Sequence, residues 1–355
     1  MRDPQPPAAR SRRRAAVTLA VLAAVVGIAT AVEATAPLPP PAALPVAGAA
    51  ARVLPVGPPG PGSGVGVLAP RPQGGGGRHE TPRDDAKAGG LTAGSQQPAR
   101  SAGRLPPRAA GASPTVIAHR GASSAAPENT LVSDEVARRG RAGWIENDVQ
   151  PSKDGVPYVL HDTTVDRTTD GTGPIRSLTA AQIDALDAGS WFAPVYAGTR
   201  VPTLAAQLKD LRERGGKMLL EIKGPHSRDE VARIVREVRD QEMTGRVFVQ
   251  SFDPASLRYA RELAPELPLG LLRDTLDADP VAVAGELGLA AYNVSDGALR
   301  TRPELVGQLH AAGVAVNVWT VDTPARWKAL DALGVDGIIT NRPAELGGWA
   351  SGRTD

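Results

Sequence analysis

The chain contains no cysteine. Disulfides, thiolate metal sites and a cysteine nucleophile are therefore excluded, while nothing follows about compartment, because a large core stands without covalent staples. Histidine is scarce, with 5 in 355 residues. No internal repeat of fixed period runs through the sequence. The one run of glycines, at 74–77, has no strand before it and no helix after it, so it is not a phosphate-binding loop. Between the first apolar stretch and residue 112 there is neither alternating nor helical apolar periodicity.

That silent region is rich in Ala, Pro, Gly and Arg, with PLPPPAALP and GPPGPGSG among its segments. Proline removes backbone donors and glycine raises the cost of ordering, so residues 37–112 are expected to be a disordered spacer, with His79 solvated in it. Ahead of it, Arg10, Arg12, Arg13 and Arg14 precede an uncharged apolar stretch at 15–32. A basic segment followed by an apolar one is the pattern of an export signal, and Ala34-Thr35-Ala36 offers a small-x-small cleavage site. The stretch is long for a cleaved signal and near the lower limit of a spanning helix, so a retained membrane anchor through 15–32 is the competing expectation. Either way the chain is expected to be exported, secreted or tethered to the outer face of the cytoplasmic membrane.

The formal net charge of +2 conceals a division. Residues 1–112 carry 13 Lys/Arg against 5 Asp/Glu, and the remainder carries 27 against 33. The basic character belongs to the leader and spacer, so the folded part gives no support to nucleic-acid binding. An acidic domain that acts on an anionic substrate must screen its own charge locally, with a bound cation or a few placed Arg and Lys residues.

From residue 113 onward, short apolar runs alternate with amphipathic helical segments. Strands are expected at 116–118, 144–149, 156–160, 218–222, 247–249, 269–272, 291–294, 314–318 and 337–339. Helices are expected at 129–139, 228–239, 255–263, 280–287, 303–312 and 324–333, with a short last one near Glu345. This cadence implies parallel strands joined by crossover helices. Eight such units in about 240 residues suit a TIM (β/α)8 barrel at 113–355 better than a doubly wound sheet. Residues 163–202 break the cadence as a polar excursion, expected to be a small insertion after strand 2 over the barrel mouth.

In a barrel, reactive groups belong at the C-terminal ends of strands. His119-Arg120-Gly121 ends the first strand, Glu146-Asn147-Asp148 the second, and Glu221-Ile222-Lys223 the next barrel strand; His161-Asp162 ends the run between them. Residues two apart in a strand share a face, so Glu146 and Asp148 project together, as do Glu221 and Lys223. Three convergent carboxylates would repel unless a hard cation sat between them, and oxygen ligands point to Ca²⁺ or Mg²⁺ rather than zinc. An isolated E-x-D would instead be a solvated pair. Two histidines that ionise near neutrality could divide proton donation and acceptance. His226 is read as loop surface and His310 as helix surface. Glu128 and Asn129 either support the metal shell or cap the first helix. Gln250 and Trp319 end strands and either line an alcohol pocket or pack beneath a lid. Asp166 and Arg167 are expected to tie down the insertion by a salt bridge.

HRGASSAAPENT (119–130), ENDVQPSKDGVPYVLHD (146–162), DRTTDGTG (166–173) and LEIK (220–223) resemble the glycerophosphodiester phosphodiesterase family segment by segment. The likeness extends to VQSFD (249–253) and VNVWTVD (316–322). Family members have a TIM barrel with a small insertion after the second strand. The resemblance implies one divalent cation held by Glu146, Asp148 and Glu221. It implies His119 and His161 as acid and base, Arg120 and Lys223 on the phosphate, and a small-molecule glycerophosphodiester substrate. Asn147 stands where an aromatic or His is common. A lipid phosphodiesterase resembling phospholipase D or sphingomyelinase is the rival on the same fold; the polar insertion, read as lacking an exposed aromatic loop, counts against it. A non-catalytic surface-binding protein would require missing ligands, and every proposed position is filled.

Overall fold

The computed structural model describes residues 107–352. The expected export segment and nearly all of the expected spacer lie outside the described residues. Where the spacer was expected to run to 112, Arg108 is already anchored: its Nη1 lies 2.9 Å from Asp331 Oδ1, and its Nη2 donates to the Asp331 carbonyl at 2.6 Å.

Nine strands form one sheet: β1 Thr115–His119, β2 Trp144–Pro151, β3 Pro157–Val159, β4 Met218–Ile222, β5 Val247–Ser251, β6 Leu269–Arg273, β7 Ala291–Ser295, β8 Ala315–Trp319 and β9 Gly337–Thr340. Eight of them pair in parallel, and pairing of β1 with both β2 and β9 closes the barrel. The short β3, the second of the two strands expected close together at 144–149 and 156–160, pairs antiparallel with β2 and stands outside the ring. Five residues separate β2 from Pro157, too few for a crossover helix, so the chain can only turn back on itself.

Local chemistry sets the helix boundaries. Ser227 and Glu230 form a reciprocal capping box at the start of Arg228–Asp240, whose Val231, Ile234, Val235 and Val238 are buried at helical spacing. Asp253 caps Pro254–Leu263 and Asp279 caps Pro280–Leu287, each with proline in the first turn, where its missing N–H costs nothing. Helices Ala180–Asp184, Leu204–Arg214 and Asp296–Thr301 were not anticipated.

The insertion is not merely polar. Tyr158, Leu160, Val165, Ile175, Ile183, Ala188 and Val201 make a small core of their own. Its outer loop shows Trp191 at 40% and Val195 at 82% exposure, contrary to the expectation of no exposed aromatic. The Tyr196 hydroxyl donates to the Ala125 carbonyl at 2.9 Å, holding the loop against the segment after β1.

Alternation along the strands stacks the barrel interior in layers. The lower layer is apolar, with Ile117, Trp144, Leu219, Phe248, Ala291 and Ala315. Two residues further along each strand stand His119, Glu146, Glu221, Gln250, Asn293 and Asn317. Gly270 leaves the room this layer needs: a Cβ there would lie 2.8 Å from Asn293 Nδ2.

Candidate active site

A cavity of about 290 Å³ opens at the C-terminal ends of the strands. His119, Arg120, Glu146, His161, Glu221 and Lys223 line one side, and Phe252, Leu272, Asp274, Trp319 and Thr320 the other.

On the charged side, one oxygen from each of Glu146, Asp148 and Glu221 lies within 4.8 Å of the others, and all three residues are buried. Burial, then repulsion from Asp148 and Glu221, pushes the Glu146 carboxyl well up. Burial, then Asp148, raises Glu221 to about 8. Asp148 is held low despite burial, because Lys223 and Arg120 stand beside it. Three buried acids with only oxygen donors and mutual repulsion fit a hard divalent cation, which would relieve the repulsion.

The cations interleave with this cluster. Lys223 Nζ lies 3.0 Å from Glu221 and 3.4 Å from Asp148. Arg120 Nε is 3.4 Å from Asp148, and its Nη1 donates to Glu128 at 2.9 Å. The Arg120 backbone N–H donates to Glu146 Oε2 at 3.0 Å from a left-handed conformation (φ 55°). Gly121 follows because a Cβ there would come within 2.7 Å of the Ser133 backbone.

Each histidine is oriented through Nδ1. His119 Nδ1 is 2.7 Å from Asn341 Oδ1. Asn341 spends its Nδ2 on Asp322 at 2.6 Å, and Ser123 Oγ donates to the same Oδ1, so that oxygen accepts and His119 Nδ1 donates. His161 Nδ1 lies 2.7 Å from Asp162, itself clasped by Arg167 at 2.6 Å. Nδ1 of each ring is thereby committed, which leaves Nε2 for proton exchange in the cavity. Burial, reinforced by Arg120, pushes the His119 imidazole down to about 4, so it is neutral at physiological pH.

Glu128 does not join the carboxylate group. It bridges Arg120 and Arg167, and although burial opposes ionisation, those guanidinium bonds hold its carboxyl low. Asn129 is not the helix cap; Thr130 is, its side chain accepting from Ser133 N. Asn129 instead donates to Asp148 Oδ2 at 2.9 Å and accepts from the Asp148 N–H at 3.2 Å. No Asp166–Arg167 bridge forms: Asp166 accepts from Gly173 N, and Arg167 serves Glu128 and Asp162. His226 is buried rather than on the surface, and His310 pairs with buried Asp336 at 2.7 Å.

Gln250 and Trp319 both line the cavity. Gln250 Nε2 faces Glu146 Oε1 at 3.4 Å, and behind it runs an amide ladder: Asn293 donates to Gln250 and Asn317 to Asn293, each at 2.8 Å. Trp319 Nε1 donates to the Asn293 carbonyl at 3.0 Å, and its ring meets Phe252 edge to face at 5.5 Å. Sequence reading missed Asn293, Asn317, Asn341 and Asp274. The polar residues at alternate positions of otherwise apolar strands were the available signal for the first two.

The profile of the Glycerophosphoryl diester phosphodiesterase family matches residues 119–345. A glycerophosphodiester phosphodiesterase of Caldanaerobacter subterraneus is 37% identical over 236 residues, covering 65% of this chain and 95% of that protein. An Oleispira antarctica phosphodiesterase, solved in complex with the product sn-glycerol-3-phosphate, superposes with TM-score 0.64 at 30% identity, over 67% of this chain and 97% of that one. A glycerophosphodiester phosphodiesterase from Agrobacterium tumefaciens gives TM-score 0.60 at 32% identity, over 66% and 99%. With strand ends, carboxylates and histidines all inside the matched span, the chain belongs to the glycerophosphoryl diester phosphodiesterase family.

Proposed function

We propose that this chain hydrolyses glycerophosphodiesters to an alcohol and glycerol 3-phosphate, using one divalent cation held by Glu146, Asp148 and Glu221. The observation that carries this reading is the convergence of those three buried carboxylates with two oriented histidines around one cavity. The oxygen donor set suits Ca²⁺ or Mg²⁺, and a cation bound there would neutralise charge on the phosphate. Arg120 and Lys223 place fixed positive charge beside the same phosphate.

His119, neutral and with Nε2 free, accepts the nucleophile's proton; His161, backed by the Asp162 carboxylate, donates one to the departing alcohol oxygen. We take the nucleophile to be the substrate hydroxyl next to the ester. Its oxygen attacks phosphorus, the P–O bond to the alcohol breaks, and a five-membered cyclic phosphate forms. Water then opens that ring to glycerol 3-phosphate with the two histidines in exchanged roles. Intramolecular attack is favoured by its high effective molarity. A deoxy analogue lacking that hydroxyl should be inert; its cleavage at the natural rate would show that water attacks phosphorus directly, with the same two histidines moving the protons. Removal of divalent ions with EDTA should abolish turnover, and restoration with Ca²⁺ and Mg²⁺ separately identifies the ion.

Exposed Trp191 and Val195, on a loop held at the segment after β1, favour one second reading: action on lipid headgroups at a membrane. Hydrolysis of lysophospholipid in liposomes, set beside hydrolysis of the deacylated diester, separates the two. The site is proposed to work outside the cytoplasmic membrane, delivered by residues 1–36; fractionation of cells expressing the full chain tests that.

A further inference from the structure

The two walls of the cavity differ in chemistry, and the less charged one carries a carboxylate that nothing in the reaction described above uses. Asp274 stands just beyond the end of β6, exposed, and lines the cavity with Phe252, Leu272 and Trp319. Among the described residues its carboxylate has no hydrogen-bond or ion-pair partner, and only its backbone carbonyl is engaged, accepting from Ser295 Oγ at 2.8 Å. The adjacent cation, Arg273, is committed to Asp277 at 3.0 Å. The other two carboxylates on the cavity wall, Glu146 and Glu221, face Gln250 and Lys223. Lys223 also stands over the Phe252 ring at 5.8 Å, so that face already has its cation. Trp319 remains, pinned through its indole N–H and edge to face with Phe252, and indole is the ring that attracts cations most strongly.

We propose that Asp274 and Trp319 form a subsite for a positively charged alcohol, so that the preferred substrates are glycerophosphodiesters of choline or ethanolamine. The inference rests on the phosphodiesterase reading and names the alcohol it releases. With phosphate held at Arg120 and Lys223, an alcohol pointing toward the β5–β8 wall meets hydrocarbon, an indole and one free negative charge. A quaternary or primary ammonium satisfies all three, whereas an uncharged polyol would need several hydrogen-bonding groups where Phe252, Leu272 and Trp319 stand.

The test is kcat/KM of the full chain with glycerophosphocholine, glycerophosphoethanolamine and glycerophosphoglycerol. The choline-to-glycerol ratio should exceed one and fall about fivefold in Asp274→Asn, the worth of an exposed charge pair. It should fall further in Asp274→Lys, and it should shrink in high salt for the wild type, because the pair is exposed to screening. A ratio that Asp274→Asn leaves in place overturns the subsite, including the case where all three esters slow equally. Failure of the wild type to cleave any of the three overturns the phosphodiesterase reading itself.

Discussion

The mouth of the barrel is two half-circles built on opposite plans. The ends of β1, β2 and β4 carry His119, Arg120, Glu146, Asp148, Glu221 and Lys223, a half whose charges are packed closely enough to shift one another. The ends of β5, β6 and β8 carry Phe252, Leu272, Asp274 and Trp319, with one charge among them. Both halves stand on the same apolar layer; two residues further on, one half carries His119, Glu146 and Glu221 and the other Gln250, Asn293 and Asn317, with Phe252 and Trp319 two beyond those. A phosphodiester is similarly divided, with an anionic centre common to all substrates and an alcohol that varies. Chemistry then belongs to the first half and selection to the second.

Alterations in the charged half should have the largest effects. Glu146→Gln is expected to abolish turnover while the protein without added cation melts no earlier than the wild type, since the change removes a like charge from a buried group. Loss of melting cooperativity would make Glu146 a structural requirement instead. His119→Ala should lower kcat by about 10²–10⁴-fold, the range of lost proton transfer. Because burial, reinforced by Arg120, sets the His119 imidazole at about 4, kcat/KM at saturating cation should not be limited by that ring near neutral pH. An acid limb of the pH–rate profile at ordinary histidine values would assign the base elsewhere.

The contrast also marks what the sequence could tell. Clustered charge at strand ends has no explanation in packing, so Glu146, Asp148, Glu221 and both histidines stood out, and the strand–helix cadence disclosed the barrel around them. Single polar residues did not stand out. Asn293 and Asn317 each sit alone in an apolar run, and only closure of the sheet brings them beside Gln250. Asn341, the orienter of His119, is 222 positions away in the chain. Glu128 showed the converse error: neighbouring a site in sequence, it serves two arginines rather than the carboxylate group. His226 was misplaced because its burial against the Pro254–Leu263 helix, where its N–H donates to Ser256 Oγ, has no local signature.

Each half has its own buried support, and only one of them contains an acid. Behind Asp148, Asn129 contacts Asn147, which reaches Asp134, and Gln207 donates to Asp134 at 2.7 Å. Burial raises Asp134 to about 7. Its unfolded value is about 3.9, so between those values the native state holds a proton that the unfolded chain has lost. Stability attributable to this group is therefore full at acid pH, declines as pH rises through that window, and is flat above it. Asp134→Asn should remove the slope and raise the unfolding free energy at pH 8 by about 2 kcal/mol. Gln207, whose Oε1 has no hydrogen-bond partner, can turn its amide over to accept from the new Nδ2. Denaturant melts at pH 5 and pH 8 check this, and equal stability changes at both would remove Asp134 as the source.

The amide ladder behind the other half should respond without any pH dependence. Asn293→Ala leaves the Gln250 Oε1 and Asn317 Nδ2 atoms without partners in the barrel centre, at a cost of about 1–3 kcal/mol. It also frees Gln250, whose Nε2 faces Glu146, so cation affinity measured by calorimetry should weaken by about tenfold, as when the outer partner of a metal ligand is lost. Asn317→Ala lies one rung further away and should cost similar stability with a smaller change in affinity. If both variants weaken cation binding equally, the ladder acts through general loosening of the barrel. A graded response, largest at Asn293, would show the β5–β8 half reaching into the charged half through Gln250, whose amide faces Glu146.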